Sequence, residues 1–420
     1  MDLIADLEAR GLIHDSTDRE FLRARVKEGP IGIYYGCDPT ADSLHVGNLI
    51  GLIVLRRFQD AGHKAIALAG GATGMVGDPG GRSEERNLLD DDTLSANMAA
   101  IKQQLGRIVD LSDPNHGVLV DNRDWTQAIT LLEFLRDVGK HVTVNQMTAR
   151  ESVRIRLESE HGISFTEFSY MLLQANDYLW LHDNLGCEIQ IGGSDQWGNI
   201  ISGVDLIRRK RQHQVHAFSW PLLTASDGSK LGKTTGARTW LDPVKTSPYQ
   251  LRQHFLQTAD DDLGAQLLMF SLRPISEIEE LLAAHGAEPH RRIGQRALAH
   301  ELTALVHGEE AATAADEAAD VLFGGDPAGA SVAALEAVGR EVPCSRMTPA
   351  QLVDLVGVLV AADLARSKGD ARRTLEGSGY RCNGAPIDVN TQLSELILLH
   401  GRYLLLQRGK KSHHLVEVSS

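Results

Sequence analysis

The stretch that most constrains this chain runs from Ile31 to Phe58. Ile31, Ile33 and Tyr35 alternate with Gly32, Tyr34 and Gly36, the period of a strand. Asp38-Pro39-Thr40 breaks that strand. Asp42 or Ser43 suits the N-cap of a helix opening at Leu44. Val46, Leu49, Ile50, Ile53, Val54 and Phe58 then recur at helical spacing, which predicts one core-facing stripe. A strand, a sharp turn and a helix in this order belong to α/β folds. His45 and Asn48 fall three apart on one face of the expected first turn. Gly47 between them costs helix stability, so close approach to the backbone is expected there. A first turn with unpaired N–H groups and two side-chain donors suits an anion, so the corner reads as a phosphate grip.

Two further corners repeat the pattern. Ala65–Ala69 reads as a buried strand and leads into Gly70-Gly71-Ala72-Thr73-Gly74-Met75-Val76-Gly77-Asp78. No Gly-Lys-Ser/Thr follows, so this is not a P-loop, and the glycine spacing does not fit a dinucleotide fingerprint. Asp78 with Arg82 and Arg86 predicts a charged rim at a strand end. Cys187–Ile191 reads as a strand running into Gly192-Gly193-Ser194-Asp195-Gln196, where Asp195 could accept from ribose hydroxyls. Between these corners, a helix over 166–181 carries Tyr170, Gln174 and Asp177 at i, i+4 and i+7. Such a stripe on a lone helix is more often a solvated face. An aromatic hydroxyl, an amide and a carboxylate instead of Lys and Glu suit a pocket that hydrogen-bonds a small polar ligand. Lys230-Leu231-Gly232-Lys233-Thr234 forms a cationic loop.

The chain has 420 residues, enough for two or three domains with cores of their own. The net charge of −14 argues at first against a nucleic-acid partner, but it is unevenly placed. Residues 366–420 hold 9 Lys+Arg against 5 Asp+Glu, and the remainder 33 against 51. Lys368, Arg372, Arg373, Lys410 and Lys411 make the tail a candidate RNA-binding module of short helices and hairpins, one around Asn383-Gly384. The four cysteines form no CxxC pair, which argues against a zinc site and fits reduced thiols. No apolar run reaches membrane-spanning length, and the acidic N-terminus lacks a signal-peptide pattern, so a cytoplasmic protein is expected. Ile129–Val138 reads as a short amphipathic helix, more often core than interface. The expected fold class is α/β. A Rossmann-like parallel-sheet catalytic domain (1–222) precedes the cationic loop and an α-helical domain (223–325), a linker (326–347) and a small basic α+β RNA-binding domain (348–420).

Taken in order, His45-Val46-Gly47-Asn48, Gly77-Asp78-Pro79, the Tyr170/Gln174/Asp177 helix, Gly192–Gln196 and Lys230–Thr234 resemble the motifs of bacterial tyrosyl-tRNA synthetases, including the HIGH and KMSKS signatures. The resemblance spans essentially the whole chain, with Asn48 in place of the second histidine. It implies a homodimer that activates L-tyrosine with ATP, accompanied by Mg²⁺ without a dedicated metal site, and charges tRNA(Tyr). It implies that Tyr34 and Asp177 hold the phenol, that Asp78, Tyr170 and Gln174 hold the ammonium, and that Gln196 lies near the carboxylate. Asp38, Gly47, Gly193, Asp195 and Thr234 would line the ATP site. His45, Asn48, Lys230, Lys233, Arg82 and Arg86 would grip the pyrophosphate. A tryptophanyl enzyme has no phenol for Tyr34 and Asp177 to bind, and a small-molecule adenylyltransferase needs neither the cationic loop nor the tail. A non-catalytic RNA-binding relative would not need His45, Lys230 and Lys233.

Overall fold

Parallel pairing organises the N-terminal half. In the computed structural model, which describes residues 2–79, 89–159, 162–222, 233–234 and 237–419, strands β1 (Gly32–Cys37), β2 (Lys64–Ala69), β3 (Gly117–Asp121), β4 (Cys187–Gly193) and β5 (His216–Trp220) lie in the order β3-β2-β1-β4-β5. Every neighbouring pair is parallel. The chain winds outward from β1 through β2 to β3, then returns to place β4 on the other side of β1. The carboxyl ends of β1 and β4 therefore flank the point where strand order reverses, where open α/β sheets bind ligands.

β1 is buried on both faces, with Ile33, Tyr34 and Tyr35 all enclosed, as expected for a parallel strand covered on both sides. The following helix begins later than the sequence suggests. His45, not Asp42 or Ser43, is the N-cap, and the helix runs Val46–Asp60. Ser43 is instead buried, accepting from Asp242 N–H at 3.0 Å and bonding Gln104. The helix also departs from a single apolar stripe: Leu52, Leu55 and Gln59 are buried along with Leu49, Ile53 and Phe58. A helix apolar on nearly every side belongs inside a domain. Its buried Arg57 is neutralised by Asp6 and bonds the Ser271 carbonyl.

Compact packing divides the chain into two units, 1–245 with 258–298, and 246–257 with 299–420. Residues 258–298 join the sheet unit partly because buried Arg10, paired with Asp6 at 2.8 Å, donates to the carbonyls of Leu268, Ser271 and Arg273. In the second unit the stretch expected as a linker carries the helix Val332–Glu341, packed against Glu309–Leu322. Beyond the short strands β6 (Lys233–Thr234) and β7 (Ala237–Arg238) of the first unit, the second builds its own sheet. β8 (Cys344–Met347), β9 (Tyr380–Cys382), β10 (Ala385–Ile387), β11 (Tyr403–Arg408) and β12 (Ser412–Val418) lie in the order β10-β9-β11-β12-β8. Asn383 and Gly384 take φ of 48° and 81°, as a two-residue hairpin turn requires.

The expectation that the 129–138 helix is core holds on one side alone, where Phe134 and Val138 pack on the core of the sheet unit. The helix is Leu131–Asp137, and Leu131, Leu132 and Leu135 are 69%, 77% and 47% exposed. Val144 and Phe165 are exposed as well. Among the described residues no helix is long and apolar enough to cross a membrane.

Candidate active site

A cavity of about 370 Å³ opens at the carboxyl ends of β1 and β4. It gathers Tyr34, Asp38, His45, Gly47, Asn48, Asp78, Tyr170, Gln174, Asp177, Gly193, Asp195 and Gln196, all expected site residues, into one place. Arg82, Arg86 and Lys230 lie outside the described residues. Lys233 and Thr234 form β6, described here by its backbone alone. Lys368, Arg372, Arg373, Lys410 and Lys411 are exposed on the second unit.

The polar stripe of the helix Phe165–Leu185 is no solvated face. Tyr170, Gln174 and Asp177 are 6%, 9% and 1% exposed and turn into the cavity. Asp177 accepts from Trp125 Nε1 and Asn122 Nδ2, each at 2.9 Å. Burial pushes its carboxyl up to about 7 against the pull of those two bonds, and the charge of Asp38 adds to the rise. Tyr34 lines the same end, its hydroxyl held well above the ordinary tyrosine value by burial and then by the Asp177 charge. A buried carboxylate and a buried phenol hydroxyl can accept from and donate to one further hydroxyl.

Asp38, expected at the nucleotide, is instead tied beside Tyr170. Its oxygens accept from Tyr170 Oη at 2.8 Å and Thr73 Oγ1 at 2.7 Å. Asn122 donates to Thr73 Oγ1 at 2.9 Å and accepts from Ala72 N–H at 2.7 Å, so one buried amide joins Asp177 to the glycine-rich turn. Asp78 accepts from Gln196 Nε2 at 2.6 Å. The Oε1 atoms of Gln174 and Gln190 are buried with no hydrogen-bond partner among the described residues, and both side chains line the cavity. Buried acceptors left open beside two carboxylates favour a bound cation with N–H donors.

At the helix corner the arrangement differs from the anion grip expected of a bare first turn. Val46 N–H donates to Thr239 O at 3.0 Å, Gly47 N–H to His45 Nδ1 at 3.0 Å, and Asn48 N–H to His45 O at 2.8 Å. Asn48 Oδ1 accepts from His45 N–H at 3.1 Å, completing a reciprocal cap. The N–H groups of that turn are therefore spent. The close approach that Gly47 permits is by the His45 ring itself, 2.8 Å from where a Cβ would stand. Burial and then the charge of Arg238 lower His45 to about 4, so its ring is neutral at pH 7. With Nδ1 accepting, the proton sits on Nε2, leaving one N–H donor for a ligand.

Sequence reasoning missed Asn122, Trp125, Thr73, Gln190, Tyr35 and Arg238. Asn122 follows the end of β3 at the same sheet edge as the recognised corners, and that position was a usable signal. Gln190 was signalled by being an amide inside a strand buried on both faces. Tyr35 lines the cavity from the neighbouring position on β1, which no spacing announces.

A family model described as class I tRNA synthetases (W and Y) matches residues 26–324, and one for a tyrosine--tRNA ligase SYY-like C-terminal domain matches 334–416. The chain is 49% identical over 424 residues to a tyrosine--tRNA ligase of Opitutus terrae, covering all of both chains. It is 48% identical to that of Mycobacterium tuberculosis, covering 98% of this chain and 97% of the relative. A C-terminally truncated mitochondrial tyrosyl-tRNA synthetase from Aspergillus nidulans superposes with a TM-score of 0.69 at 36% identity, over 77% of this chain and 94% of that one. The chain belongs to the class I aminoacyl-tRNA synthetases of the tryptophan and tyrosine group, and within it to the tyrosine–tRNA ligases.

Proposed function

We propose that this chain activates L-tyrosine with ATP and then charges tRNA(Tyr), with the cavity at β1 and β4 holding both small substrates. The observation that carries the reading is the buried stripe Tyr170–Gln174–Asp177 facing a cavity whose far side is the His45 corner. Tyr34 and Asp177 bind the phenol. Asp78, Tyr170 and Gln174, with Asp38 behind Tyr170 and the open Gln190 Oε1, receive the ammonium. Gln196, oriented by Asp78, lies near the carboxylate, and Asp195 takes the ribose. Gly47 and Gly193 keep the walls low, since a Cβ at Gly193 would stand 2.6 Å from Asp195 Oδ1.

In the first step a tyrosine carboxylate oxygen bonds to the α-phosphorus of ATP. The bond to the bridging oxygen breaks, and its electron pair leaves with pyrophosphate. In the second step a ribose hydroxyl of the terminal adenosine of the tRNA takes the tyrosyl group, and AMP departs. Neither step needs a covalent enzyme intermediate, so catalysis rests on positioning and on stabilising charge that develops at the phosphates. His45, through Nε2–H, and Asn48 serve the pyrophosphate with Lys230, Lys233, Thr234, Arg82 and Arg86. Mg²⁺ arrives with ATP as part of the substrate.

The four-part division at 222, 325 and 347 is kept as a functional proposal, with 348–420 the tRNA-binding part. Leu131, Leu132 and Leu135, exposed together on one short helix, support a homodimer, because apolar patches on a surface mark interaction sites. A cytoplasmic location fits reduced thiols. ATP–pyrophosphate exchange tests the activation step. Asp177→Ala should lower kcat/KM for tyrosine roughly 10- to 100-fold, the worth of a hydrogen bond to a charged group. An unchanged value would remove the phenol assignment.

A further inference from the structure

We propose that Arg238 is a further substrate-contacting group, whose guanidinium binds the polyphosphate of ATP beside His45 and stabilises the leaving pyrophosphate. This rests on the reading of the cavity given above. Charge is the first argument. The carboxylates Asp38, Asp78, Asp177 and Asp195 line the cavity, and among the described lining residues Arg238 is the one permanent cation. A polyphosphate entering a chamber lined by carboxylates needs a counter-charge inside it. The spent N–H groups of the helix corner do not supply one.

Placement is the second. The backbone on both sides of Trp240 is fastened to the corner by Val46 N–H to Thr239 O at 3.0 Å and Leu241 N–H to Leu44 O at 2.8 Å. Arg238 stands one residue before that anchor. Its guanidinium lies 5.7 Å from the Trp240 ring centre, and the His45 ring meets the same indole at 6.3 Å. A guanidinium on an aromatic face keeps its in-plane N–H donors for phosphate oxygens.

Pairing is the third. Lys245 also lies over Trp240, but it forms an ion pair with Asp42. Among the described residues no carboxylate pairs with Arg238. The register instead sets it directly opposite Lys233 across β6 and β7. Like charges opposite each other in a ladder destabilise it. An anion bound by Arg238 offsets that repulsion. Arg238 exchanges no proton in the step; it meets the charge that arrives on pyrophosphate as the α-phosphorus–oxygen bond breaks.

The test uses the full-length enzyme with Arg238→Ala and Arg238→Lys. Pyrophosphorolysis of purified enzyme-bound tyrosyl-adenylate reads the pyrophosphate concentration needed for half-maximal rate. Arg238→Ala should raise it about tenfold or more, since a hydrogen bond to a charged group is lost. Tyrosine affinity and the thermal midpoint should stay unchanged, and Arg238→Lys should recover part of the loss. An unchanged pyrophosphate dependence overturns the proposal, as does a joint loss of tyrosine affinity and thermal midpoint, which marks Arg238 as a brace for Trp240. His45→Ala in the same assay separates the two levels. If it also leaves pyrophosphate dependence unchanged, the polyphosphate is not here and the reading of the cavity fails. If it raises the requirement while Arg238→Ala does not, the role of Arg238 alone fails.

Discussion

Asp177 holds two hydrogen bonds, from Trp125 and Asn122, besides the one proposed from a substrate hydroxyl. These fix its orientation, and burial raises its carboxyl to about 7. The pH consequences have opposite signs. A folded value above the ordinary carboxylate value of 3.8 favours the folded state at low pH, and that contribution is lost as pH rises from about 4 to about 7. Tyrosine affinity should move the other way, because the ionised carboxylate is the stronger acceptor for a phenol. Equilibrium titration should show tyrosine binding weaken as pH falls below about 7. His45, near 4, stays neutral through that range and adds no slope. Asp177→Asn should flatten the profile, and an unchanged slope in that variant would place the titrating group elsewhere. Gly51 offers a second test at this scale. A Cβ there would fall within the Tyr35 ring, which is packed against the helix and lines the cavity. Gly51→Ala should cost about 1–3 kcal/mol of stability by overpacking, read as a lowered midpoint of denaturant unfolding. No change would mean that the ring is free to turn aside.

The helix Phe165–Leu185 and the helix Val46–Asp60 show how far elements could be read from the sequence. The i, i+4, i+7 stripe put Tyr170, Gln174 and Asp177 on one face, because helical spacing is a local property. Whether that face met solvent depended on β1 and β4, which pair with partners far away in the chain. The N-cap went to His45 because Ser43 is drawn into bonds with Gln104 and Asp242, and nothing local announces those residues. The glycine-rich turn was legible as a site edge, whereas its tether through Asn122 was not, since that contact spans about fifty positions. On the cationic loop, Lys233→Ala should slow adenylate formation roughly 10²- to 10³-fold while leaving tyrosine affinity unchanged, because its charge acts as pyrophosphate develops. Single-turnover formation of the adenylate reads the first quantity and equilibrium binding the second. Lost tyrosine binding with normal adenylation would contradict the assignment.

Across the whole molecule, an acidic body and a basic tail fit the proposed division between activating tyrosine and binding tRNA. The tail's hairpins were legible because Asn-Gly and Gly-Lys-Lys turns are local signals. Its entanglement with the preceding helix was not. Leu399, Tyr403, Leu405 and Leu415 share a core with Ala334, Leu335 and Val338, so a cut near Val342 would expose apolar surface as well as remove basic residues. Charge reversal in the intact chain is the cleaner experiment. Arg372, Arg373, Lys410 and Lys411 are exposed, so changing all four to Glu should leave the fold and tyrosine activation intact while weakening tRNA charging. The remaining affinity for tRNA should depend less steeply on salt, because fewer phosphate contacts release counterions. Equal loss of activation and charging would show that the tail serves the fold alone.

On the proposed reading, the cavity at β1 and β4 selects tyrosine by its hydroxyl and joins it to ATP. ATP–pyrophosphate exchange, run on the full-length protein with each amino acid in turn, tests it most directly. The expected result is exchange with tyrosine and background rates with phenylalanine, which leaves the buried Tyr34 hydroxyl without its partner and Asp177 with only its bonds from Asn122 and Trp125, and with tryptophan, which has no phenol. Exchange supported equally by phenylalanine or tryptophan, or no exchange with tyrosine, would contradict it.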